Sequence, residues 1–127
     1  MYEAKAHPSD GYLLIRLEGM MQMDEAQGVV GMVITEGRRM RPGFTIINDI
    51  HRARPAAPEV AEVVKTAQVA LYSMGAAHVI RVVGEAASAN LQLQRTQREA
   101  HAGYEMHTVR TLEEAFALHR KLWRGPV

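Results

Sequence analysis

The sequence predicts an α/β fold, a single-layer, mostly parallel, five-stranded mixed sheet with four helices, built by residues 1–127 as a single domain. Three observations lead there. Strand-like runs alternate with amphipathic helical stretches after an opening hairpin. The run Phe44-Thr45-Ile46-Ile47 is nearly continuous in apolar character, as expected of a strand covered by helices on both faces. A length of 127 residues, 47% of them hydrophobic and 23% charged, matches one globular core.

Residues 2–7 alternate weakly, and Pro8-Ser9-Asp10-Gly11 favours a tight turn. A second strand over 12–18 places Leu13, Ile15 and Leu17 on one face and ends at Gly19. After Met20, Met21 and Met23, Asp24 is placed to cap a helix whose stripe is Ala26, Val29, Val30, Val33 and Ile34. The methionines read as core packing or as an adaptable partner surface. Gly28 and Gly31 each cost about 1 kcal/mol relative to Ala in a helix, which a close approach to the sheet would explain. The basic stretch 37–43 ends this helix, where cations suit the dipole.

The central strand is expected over 44–50, followed by a proline-bearing loop, 51–58. Pro58 suits the first position of a second helix with Val60, Val63, Val64, Ala67, Leu71 and Met74 inward and Gly75 at its close. Residues 78–83 form a further strand, stopped by Gly84. Ser88 is placed to cap a third helix over 89–101, so rich in Gln and Arg that a solvated surface is expected. Residues 104–110 alternate as an edge strand, and Thr111 with Glu114 forms a capping box for a last helix carrying Leu112, Ala115, Phe116, Leu122 and Trp123 inward.

Several function classes fall away. Fifteen basic against 14 acidic side chains leave +1, no bulk field for nucleic acid. The absence of cysteine removes disulfides and thiolate metal sites. No run reaches the roughly 20 apolar residues of a membrane span, and the first residues lack a signal-peptide layout, so no membrane insertion and a cytoplasmic location are expected. Neither a dinucleotide-type glycine turn nor a P-loop lysine is present, and no serine sits in a nucleophile elbow. The six histidines show no i, i+4 pair, and His78 and His119 read as packing residues; neither a metal nor a cofactor is expected. Aspartate phosphorylation would need acids gathered at strand ends, where Asp49 stands alone.

The most informative stretch follows the central strand. Parallel sheets place ligand sites beyond the carboxyl ends of their strands, and here that end carries Asp49, His51, Arg52, Arg54 and Glu59 around a helix start. Arg38, Arg39, Arg41, Arg52 and Arg54 against Asp49 give residues 38–54 a balance of +4. These residues are either a docking surface for an acidic ligand or protein patch, or a solvated rim. A catalytic base at Asp49 or His51 would require a cleft and a perturbed pKa, and no enzyme activity is expected.

The opening hairpin, the Leu17-Glu18-Gly19 strand end, the strand finishing in Asn48-Asp49-Ile50 and the helix after it resemble the STAS family, the anti-sigma-factor-antagonist-like domains. The likeness spans nearly the whole chain. It implies a regulatory domain that binds a protein partner or itself. In the family's phospho-switches a serine stands at the start of the helix after the central strand. The corresponding stretch here is His51-Arg52-Ala53-Arg54-Pro55-Ala56-Ala57-Pro58-Glu59, with no hydroxyl between Thr45 and Thr66. The switch is therefore not carried over. Some serine-lacking relatives look like small-molecule or lipid binders, so an anionic ligand or lipid at loop 51–58 is the alternative expectation.

Overall fold

Alternating apolar residues and periodic helical stripes condense, in a computed structural model describing residues 1–125, into one sheet with helices on both faces. The elements are β1 (Tyr2–His7), a 3₁₀ turn (Pro8–Asp10), β2 (Tyr12–Gly19), α1 (Met23–Gly37), β3 (Thr45–Ala53), α2 (Pro58–Ser73), β4 (His78–Val82), α3 (Ala87–Glu99), β5 (Glu105–Val109) and α4 (Leu112–Leu122). The strands lie in sequence order, β1-β2-β3-β4-β5. β1 pairs antiparallel with β2, and the remaining neighbours are parallel. The expected fold class is the one observed.

Strand alternation divides the core in two. Leu13, Ile15, Ile46 and Val79 pack beneath α1 and α2 with Val29, Val33, Val60 and Leu71. Ile47, Ile80 and Val82 face the other way, under Ala115 and Phe116 of α4. Thr111 caps α4 by accepting from the Glu114 amide, while the Glu114 carboxylate accepts from the Arg110 amide. His119 packs as expected, its Nε2 2.7 Å from the Asp10 carbonyl.

Several sequence expectations need correction. The tight turn expected at 8–11 is a 3₁₀ turn in which the Gly11 amide, at φ 74°, donates to the Pro8 carbonyl and joins β1 to β2 as a hairpin. Gln22 rather than Asp24 holds the N-cap position of α1, and the Glu25 carboxylate accepts from its backbone amide at 3.0 Å. Gly28 and Gly31 face solvent with open space around them. The close approach is at Gly37, where a Cβ would lie 2.8 Å from Leu71 Cδ2. Met21 is core, whereas Met20 and Met23 are exposed. Ser88 lies inside α3 rather than capping it, and the polar residues Thr96 and Gln97 are buried. Their polarity serves internal hydrogen bonds, which composition does not distinguish from solvation.

β3 continues to Ala53, so His51 and Arg52 belong to the strand and not to a loop. Between the pairs Arg16↔Asp49 and Glu18↔Arg52, β3 advances one residue more than β2. This is a bulge on β3, and bulges re-aim side chains at strand ends.

Candidate functional site

Arg16 and Asp49 are paired across β2 and β3 and therefore share the α4 face. Asp49 is buried, and its Oδ2 lies 3.5 Å from Arg16 Nε. Its Oδ1 accepts from the His51 backbone amide at 3.4 Å and meets His51 Nδ1 at 2.5 Å. The bulge brings residue 51 back over the carboxylate. With Nδ1 donating to Asp49, the His51 ring turns Nε2 away from that carboxylate. Gly84 makes room for the strand end, since a Cβ there would lie 3.1 Å from His51 Cβ. Asp49 is thus buried against Arg16 and His51 rather than exposed at the surface.

Beyond the bulge, the chain is held from two sides. The Arg54 amide donates to the Gly19 carbonyl, and the Gln92 side-chain amide of α3 both donates to and accepts from the Ala56 backbone, at 2.7 and 2.8 Å. The connection left between β3 and α2 is short, residues 54–57. His51, Arg52, Arg54 and Glu59 are all exposed. At the start of α2, Ala57 offers no side-chain cap, Pro58 has no N–H, and Glu59 puts a negative charge in the first turn. This helix start is already complemented by its own acid.

Two clusters escaped the sequence reading. Arg81, 1% exposed at the middle of β4, donates to Gln97 Oε1 at 3.1 Å. Burial lowers its pKa to about 10, against a raising influence of Tyr104; burial likewise pushes Tyr104 up to about 12. Arg81, Asn48 and Gln68 line a cavity of about 60 Å³ whose other walls include Ile15, Val33 and Leu71. Arg81 Nε, Asn48 Oδ1 and Gln68 Oε1 are buried without a hydrogen-bond partner among the described residues. The signal was a charged residue inside Val79-Ile80-Arg81-Val82, since arginine is rarely fully buried unless paired.

The second cluster is His78, Glu105 and His107, assembled across β4 and β5. Reading His78 as packing alone missed it. The available signal was Glu105-x-His107 in an alternating strand, which puts both side chains on one face. Their pairing with His78 is decided only by sheet register.

No protein-family model and no curated protein matches the chain. Solved structures do match. The anti-sigma factor antagonist SpoIIAA in its unphosphorylated form superposes with a TM-score of 0.65 at 16% identity, over 94% of this chain and 98% of that one. An anti-sigma factor antagonist from Mycobacterium paratuberculosis gives a TM-score of 0.55 at 14% identity, over 94% and 93% respectively. The fold is that of a STAS-like domain. At these identities the likeness concerns architecture, and the site residues rest on their own geometry.

Proposed function

We propose that the chain is a non-enzymatic regulatory module of STAS-like fold that binds a protein partner at the β3–α2 surface without a phosphorylation switch. The observation that carries this reading is the surface itself: His51, Arg52 and Arg54 stand exposed beside a buried Asp49 that fixes the His51 ring. The complementary partner surface is acidic. Residues 46–65 contain no hydroxyl to receive a phosphoryl group, and the two charges that phosphorylation adds have no attachment point at this helix start. The two solved structures named above are described as anti-sigma factor antagonists, which supports a protein as the bound species; a second copy of the chain is the other protein candidate.

The test is native mass spectrometry of the tagged chain isolated from its host, beside Arg52→Glu/Arg54→Glu. A protein at fixed stoichiometry on the wild type, and its loss from the double variant with an unchanged circular dichroism spectrum, is the expected result. Exposed substitutions of this kind leave folding within about 0.5 kcal/mol. Retention of the partner by the double variant would place the interface elsewhere.

A second reading is favoured by Arg81, a buried cation hydrogen-bonded to Gln97 at the wall of an apolar cavity. A small carboxylate-bearing ligand would neutralise it. This moves the anionic-ligand alternative from Arg52 and Arg54 to Arg81. A volume of about 60 Å³ is too small for a long acyl chain. In the same mass spectrum, an adduct lost on substituting Arg81 would support this reading, and a bare chain would leave those polar atoms to ordered water.

A further inference from the structure

At the opposite end of the sheet from the Asp49 surface, parallel pairing sets His78 beside Glu105 and Ile80 beside His107. Residues two apart on a strand share a face, so His78, Glu105 and His107 project from one patch of sheet. His107 Nε2 lies 3.4 Å from His78 Nδ1 and 3.3 Å from Glu105 Oε1, and His78 Nδ1 lies 4.0 Å from Glu105 Oε2. The imidazoles are 20% and 21% exposed, whereas Glu105 is 65% exposed.

We propose that His78 Nδ1, His107 Nε2 and a carboxylate oxygen of Glu105 form a binding site for a divalent transition-metal ion of the zinc type. Tetrahedral zinc with nitrogen and oxygen ligands at about 2.0–2.1 Å requires ligand atoms about 3.3–3.4 Å apart. With Glu105 Oε1 as the ligand atom, the two edges that meet at His107 Nε2 already have that length, while His78 Nδ1 comes nearest to the other oxygen, Oε2, at 4.0 Å. The third closes by rotation of Glu105, the most exposed of the three and free to move on its flexible stem. Two imidazoles and one carboxylate suit zinc, whereas magnesium and calcium take oxygen donors.

The sheet ladder holds the three backbone positions, so binding needs no rearrangement of the fold. Three protein ligands leave a fourth position to water, the open arrangement rather than the closed one of structural zinc sites. The competing account of the same geometry is a hydrogen bond between two neutral imidazoles, with Glu105 as a peripheral acceptor. That account predicts no selective affinity for a metal.

The deciding experiment titrates the chelator-treated full chain with Zn²⁺ by calorimetry and with Co²⁺ by visible absorption, which reports four-coordinate geometry. One saturable equivalent is expected, with intense four-coordinate Co²⁺ bands and a rise in melting temperature, because a ligand that binds the folded state stabilises it. His107→Gln is expected to weaken binding at least about tenfold, in line with the sensitivity of metal sites to their ligand sphere. Glu113→Gln, which removes an exposed carboxylate at the start of α4, should bind as the wild type does. Should His107→Gln fail to fold by circular dichroism, Glu105→Gln at its exposed position takes its place and is expected to weaken binding and broaden the Co²⁺ bands. Absence of a saturable one-to-one event, or undiminished binding by the folded ligand variant, would overturn the proposal.

Discussion

Arg81 occupies the middle of a central strand and hydrogen-bonds an amide, Gln97 Oε1, rather than a carboxylate. Removing a guanidinium from water is costly, and a neutral acceptor returns only part of that cost. Arg81→Met keeps much of the stem and removes the charge. Urea denaturation is expected to show the variant as stable as the wild type or more so by up to about 4 kcal/mol, the upper end seen when buried ion pairs give way to apolar side chains. A loss above about 2 kcal/mol, the scale of a hydrogen bond to a charged group, would show that the Gln97 contact outweighs desolvation. Asp49 makes the complementary point. The sequence singled it out as a lone acid at a strand end, but its carboxylate lies beneath the surface, against Arg16 and His51. Arg16 lies more than thirty positions away and only strand register brings it there.

Gly75, after α2, has φ +100° and accepts from the Gly43 amide at 2.7 Å. A Cβ there would lie 2.7 Å from Pro42 Cα. Gly75→Ala therefore meets both an unfavourable backbone region and a backbone clash. The backbone strain alone is worth about 1–3 kcal/mol, and a correspondingly lower unfolding midpoint is expected. Gly28→Ala and Gly31→Ala face open solvent on α1 and should each raise stability by about 0.5–1 kcal/mol, the helix-propensity difference. Equal effects at all three positions in thermal melts would contradict this account. Glycine is legible in sequence as an interruption; whether it serves a turn, a contact or nothing at all is set by what lies opposite. The same applies to α3, where Gln92 fastens the β3–α2 connection and Gln97 holds Arg81, although the sequence pattern alone reads as a solvated helix.

At the scale of the whole molecule, one sheet is shared by two apolar layers. Ile80 belongs to the α4 side and Leu71 to the side of α1 and α2. Because β2, β3 and β4 each contribute to both layers, disturbing either loosens the same ladder. Ile80→Ala and Leu71→Ala are each expected to cost about 2–5 kcal/mol and to shift one cooperative transition. A biphasic melt in either variant would show that the layers unfold separately. The two ends of the sheet also differ in chemistry: the carboxyl ends of the strands carry the exposed His51, Arg52 and Arg54, and the amino ends carry His78, Glu105 and His107.

Element order, fold class, the apolar stripes of α1, α2 and α4, and the placement of a basic surface after the central strand were determined by local sequence. They follow from periodicity, capping and turn chemistry, which act over a few residues. The bulge that turns His51 over Asp49, the burial of Asp49, the cation in the cavity and the His78–Glu105–His107 triad were decided by tertiary structure alone. Each depends on register between strands distant in the chain, and register is a property of the assembled sheet.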